Sequence, residues 1–160
     1  MKRLAKTTII CALALIFMLA FALAACSNSG EKLKSAEDIY KHALTLSTFP
    51  ELVRLDEAEL GELGIEAQKL SGYEMHVSKD NLLADEIAVF ELSDESYKPV
   101  LIRLLNSRLR SAAAAARDYS PEQYDIIQRS AVEEKDGFIF YVVNANSARV
   151  VSELKKLIDD

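Results

Sequence analysis

The spacing of apolar positions changes character several times along this chain of 160 residues. An unbroken apolar run from Ile9 to Ala25 comes first, followed by the polar stretch Ser27 to Lys34. From Ser35 onward the apolar residues recur at helical spacing. Ile39, Ala43, Leu44 and Leu46 form a stripe behind a serine N-cap, with Glu37 and Asp38 in the first turn, and Phe49-Pro50 ends the helix. A shorter helical turn is predicted over Glu57 to Leu63, with Gly64 as its C-terminal cap. At Gly72 the period drops to two. Tyr73, Met75 and Val77 alternate with Glu74, His76 and Ser78, the pattern of a half-exposed strand at a sheet edge. Glu86 to Leu92 is apolar on both alternations, which predicts a central strand covered by helices on one face and in part on the other. The loop Lys79 to Ala84 makes the two a hairpin.

A long helix is expected from about Ser96, with Pro99 in its first turn, where no N–H is needed. Leu101, Leu104, Leu105, Leu109, Ala112, Ala113 and Ala116 are its buried stripe. Ser120-Pro121-Glu122-Gln123 opens a new short helix, with serine as N-cap, proline first, and glutamine reaching back to the cap. Strands follow at Ala131 to Glu134 and Phe138 to Val143, joined by Lys135-Asp136-Gly137, a strong hairpin signal. Asn144 or Asn146 then caps a final helix carrying Val150, Val151, Leu154, Leu157 and Ile158. These elements predict an α+β fold: a four-stranded antiparallel sheet of two hairpins in ββαββα order, helices mainly on one face, and N-terminal helices before it. The second and fourth strands, being the most apolar, are expected side by side in the middle.

The leader has its own chemistry. Lys2, Arg3 and Lys6 precede the apolar run, the charge order of an export signal. Leu23-Ala24-Ala25-Cys26 resembles the lipobox of bacterial lipoprotein precursors. That resemblance implies cleavage between Ala25 and Cys26, a covalent diacylglycerol on the Cys26 sulfur, and a protein anchored to the outer face of the cell membrane rather than spanning it. The expected organisation is a signal peptide over residues 1–25, the lipidated cysteine and a short tether over 26–34, and one domain over 35–160. Cys11 lies in the leader, so the remaining domain would hold no disulfide and no thiol chemistry, and it is long enough to bury a core without them.

The leader takes three of the 19 cations and none of the 25 anions, which leaves the rest of the chain at −9. Such a balance disfavours nucleic acid as a partner and keeps the body of the domain off an anionic lipid surface. Against it, Arg103, Arg110 and Arg117 recur every seven residues on the long helix. They share one face with only about 20° of drift per step, a candidate contact for an anionic wall polymer or an acidic envelope protein. A solvated helix face balanced by nearby acids is the plain alternative. His42 and His76 have no metal-ligand spacing, and no cofactor is expected beyond the Cys26 lipid. The acids Asp56, Glu57, Glu59 and Glu62, and Glu133, Glu134 and Asp136, match no calcium loop and read as solubilising charge or, alternatively, a hydrolytic pair. Tyr119 and Tyr124 bracket the Ser-Pro turn, either as an aromatic platform or as pins holding the turn against the core. No Gly-rich phosphate loop and no nucleophile elbow is present.

Taken in order, the lipobox, the strand Glu86-Ile87-Ala88-Val89-Phe90, the Arg-containing long helix, Tyr119-Ser120-Pro121-Glu122-Gln123-Tyr124 and the Asp-Gly hairpin with Phe138 to Val143 are similar to a known set. The chain resembles a bacterial lipoprotein family of Gram-positive type, catalogued as domain of unknown function 4358. The resemblance implies an extracytoplasmic location and a single domain, and brings no catalytic residues. The expected function is therefore a non-enzymatic binding or adaptor module at the cell envelope. The alternative is a small envelope hydrolase acting on wall glycan or peptide through acidic residues.

Overall fold

The computed structural model describes residues 35–159. Cys26, Ala25 and the leader fall outside them. The helices are α1 (Ala36–Leu46), α2 (Glu57–Glu62), α3 (Lys98–Ala116), α4 (Pro121–Gln128) and α5 (Ser147–Asp159). The strands are β1 (Leu52–Arg54), β2 (Leu70–Ser78), β3 (Glu86–Leu92), β4 (Ala131–Lys135) and β5 (Phe138–Val143). Local chemistry sets most of the boundaries. Ser35 Oγ accepts from the amide of Asp38 at 3.1 Å and starts α1. Asp56 and Glu59 form a reciprocal capping box that starts α2, and Gly64, at φ +78°, follows its end. One turn of 3-10 helix, Glu95–Tyr97, leads into α3, so the α-helix begins just after the expected Ser96.

The strands form one antiparallel sheet in the order β1-β2-β3-β5-β4. The sheet has five strands, not the four expected. The added one, β1, is three residues long, too short to display an alternation, and it pairs Leu52 with Ser78 and Arg54 with His76. It also moves the sheet edge, so β2 and its His76 are internal. The middle of the sheet is as expected: β3 and β5 are neighbours, pairing Ala88 with Tyr141 and Phe90 with Ile139.

A second correction concerns the layers. Helices cover both faces of the sheet rather than mainly one. Ile87, Val89, Phe140 and Val142 pack with Ile39 and Ala43 of α1 and with Val150 and Leu154 of α5. The opposite alternation, Met75, Ala88, Phe90, Ile139 and Tyr141, packs with α2, α3 and α4. Two covered faces explain why β3 and β5 lack polar alternation, since Ile87 to Phe90 and Ile139 to Val143 are buried on both sides.

Two connections are set by particular residues. Asp136 at φ +47° and Gly137 at φ +84° are consecutive left-handed residues, the geometry that a two-residue hairpin needs to match strand twist. Gln123 does not reach back to its own N-cap; its Oε1 accepts from the amide of Ala84 at 2.8 Å, and Ser120 makes no side-chain cap. The buried glutamine ties the first turn of α4 to the β2–β3 connection, a long-range demand that overrides the local capping pattern.

Candidate functional site

The arginine ridge forms as the spacing requires. Arg103, Arg110 and Arg117 are all exposed along α3, successive residues about 10 Å apart by helical rise. Arg103 and Arg110 make no ion pair with the described residues, and the guanidinium of Arg117 lies 5.7 Å from the ring centre of Tyr124. The 19 residues of α3 include no Asp or Glu, so no acid at the usual helical spacings within the helix can neutralise the row. Neither Arg103 nor Arg110 therefore has an acid on its own helix to pair with. Tyr124 is half-buried against the core, while Tyr119 is 90% exposed and does not pin the turn.

A cleft of about 410 Å³ opens between α3, the residues after α2 and the start of β3. None of the three ridge arginines lines it. Its polar centre is a trio that the sequence reading did not single out. Arg108 donates from Nε and Nη2 to the two carboxylate oxygens of Glu86, both at 2.6 Å, and the Tyr141 hydroxyl donates to Glu86 Oε2 at 2.7 Å. Burial disfavours the charged guanidinium, but the hydrogen bond and charge of Glu86 outweigh it and hold Arg108 above its usual pKa. Burial first, and the Glu86 charge second, push the Tyr141 hydroxyl far up, so it remains a donor. Ile65, Leu104 and Leu105 supply apolar walls. The only trace of this trio in the sequence is a Glu at the first position of a mostly apolar strand and an Arg one residue from the buried Leu109.

A second polar chain crosses the other face of the sheet. The Tyr40 ring of α1 stacks on His76, with centroids 3.9 Å apart, and its hydroxyl lies 3.1 Å from His76 Nδ1. His76 Nε2 meets Glu74 Oε2 at 2.6 Å, and Arg54 Nε donates to the same oxygen at 3.0 Å. Burial, then the Glu74 charge, raises the Tyr40 pKa. His42, the other histidine, is half-buried on α1.

Most members of the acid clusters have structural partners. Asp56 and Glu59 are the α2 capping box, Glu134 meets Lys98 at 3.1 Å, and Glu133 meets Lys155 at 3.1 Å. Among the described residues no group of three His, Cys, Asp or Glu side chains could hold a metal ion. No described helix is long and apolar enough to cross a membrane.

A family model described as a domain of unknown function (DUF4358) matches residues 48–144, more than half of the chain. The match takes in all five strands, the ridge and the Glu86–Arg108–Tyr141 trio; α1, α5 and Cys26 lie outside it. No curated protein and no solved structure matches the chain significantly.

Proposed function

The chain belongs to the family described as domain of unknown function 4358, and from that premise, which brings no activity with it, we propose a lipid-anchored binding or adaptor module at the outer face of the cell membrane. Its contact surface is the row Arg103, Arg110 and Arg117, and its partner is an acidic envelope protein or an anionic wall polymer. The observation that carries this reading is the exposed cationic row on a helix without acids, in a chain whose net charge is −6. Guanidinium groups spaced along a rigid helix suit repeated phosphate or carboxylate groups. The hydrolytic alternative needs two facing carboxylates, and the engagement of Asp56, Glu59, Glu133 and Glu134 in caps and ion pairs weighs against it.

The test is photo-crosslinking in living cells from Asn106 and Ala114, on the same helix. Wild type is expected to give a discrete protein adduct or a polymer smear, and reversal of all three arginines to glutamate should abolish it. Crosslinks that persist in the reversed variant would overturn the assignment of the ridge.

A further inference from the structure

The cleft beside Glu86 is built around an arginine that is only half used. Arg108 is held side-on, with Nε and Nη2 committed to Glu86 and the Tyr141 hydroxyl also within hydrogen-bonding reach of the guanidinium, while Nη1 makes no hydrogen bond of its own to the described residues. A guanidinium carries five N–H donors in a rigid fork, so the Nη1/Nη2 edge can still take a second carboxylate bidentately. Tyr141 and Glu86 fix the plane of that fork, and the Arg108 side chain remains 29% exposed at the cleft. A salt bridge of this kind is weak evidence of a purely stabilising role, since well-packed apolar pairs of similar volume often serve as well. An oriented, half-satisfied guanidinium in an open cleft is a pattern of recognition rather than of packing.

The rest of the lining narrows the ligand. Glu86 is the sole acid among the lining residues, and it is already neutralised, so nothing there would receive an ammonium group. Ser107 and Ser111 lie on the rim with hydroxyls that make no hydrogen bond to the described residues, and they can serve an amide. Leu63, Ile65 and Leu104 offer an apolar wall for a side chain. We propose that this cleft binds the C-terminal carboxylate of a peptide ending in an apolar residue, the carboxylate on the free edge of Arg108 and the last amide at Ser107 and Ser111. This site adjoins the arginine ridge, Ser107 lying one turn from both Arg103 and Arg110, but none of the three ridge arginines lines it and the inference does not rest on the proposed function.

The solubilised full chain would be titrated calorimetrically with N-acetyl-L-leucine, N-acetyl-L-leucinamide and L-leucine. The acetylated acid is expected to bind saturably, and the neutral amide about tenfold more weakly or worse, because it loses the charged hydrogen bonds. Free leucine, whose ammonium finds no partner, should also be weaker. Arg108→Gln should reduce binding of the acid about tenfold or more. Since that change also disturbs Glu86, Ser111→Phe provides the control: it blocks the rim from an exposed position and should abolish binding with the thermal midpoint unchanged. Equal binding of acid and amide, no binding of the acid, or unimpaired binding by Ser111→Phe would overturn the site. Free leucine binding as tightly as its acetylated form would overturn the peptide assignment.

Discussion

Glu86 and Arg108 join the first residue of β3 to the middle of α3 through two parallel hydrogen bonds of 2.6 Å. Removing either partner leaves the other poorly compensated at the edge of the core. Arg108→Met is therefore expected to destabilise the fold by about 2–3 kcal/mol, discounted from the fully buried case because the guanidinium is partly exposed. Glu86→Leu with Arg108→Met should recover most of that loss. Urea denaturation of the two single variants and the double variant measures the coupling, and additive losses would contradict it.

Asn144 is the knot of a second network. Its Nδ2 donates to buried Asp85 Oδ1 at 2.7 Å and to the Thr48 carbonyl at 3.0 Å, while its Oδ1 accepts from Ser47 Oγ at 2.7 Å and from the Asn146 amide at 3.0 Å. Asn144→Ala strips the donor from the Asp85 carboxylate and should cost about 2–3 kcal/mol. Thermal unfolding with a midpoint within a degree or so of wild type would show that water replaces the amide.

These two networks also show where the sequence was legible. Periodicity located α1, α3, β3 and β5, because each buries a continuous stripe, and the Asp136-Gly137 turn was readable because few residue pairs tolerate two consecutive left-handed positions. Three-residue β1 gave no period, and its existence depends on the free edge of β2. Layering on both faces was half visible in β3, whose two apolar alternations require two covers, yet nothing local to α1 or α5 says which face each takes. The ridge was visible as a heptad spacing within one helix. The Glu86–Arg108–Tyr141 trio was not, since its members are separated by 22 and 55 residues and meet only after the sheet and α3 pack.

Asp94 is the acid whose titration the fold shifts most plainly. The hydrogen bond from Lys69 Nζ at 2.9 Å, then those from the Ser96 hydroxyl and amide, lower its pKa from 3.8 to about 2. A carboxylate with a depressed folded pKa stabilises the fold above its unfolded value and loses that contribution as pH falls through its folded one. Asp94→Asn should flatten the pH dependence of stability between about pH 4 and pH 2, with little change in slope near neutrality. Unfolding followed in parallel for both proteins across that range provides the check, and superimposable profiles would refute it.

Lipidation at Cys26 is tested by Cys26→Ser. The variant is expected to lose incorporation of labelled palmitate, while wild type carries the label and fractionates with the membrane. Label retained by the variant would place the anchor elsewhere.

The region matched by the family begins at Thr48 and ends at Asn144, and those two residues are hydrogen-bonded to one another at 3.0 Å. The shared segment is thus nearly a closed circuit, with its entrance and exit clasped by one side-chain amide. What it lacks is a roof: Ile87, Val89, Phe140 and Val142 are dry here only because α1 and α5, both outside the circuit, lie over them. Without α1 and α5 the matched segment would expose that whole apolar face to water, so its two ends carry the cover that makes it a closed domain.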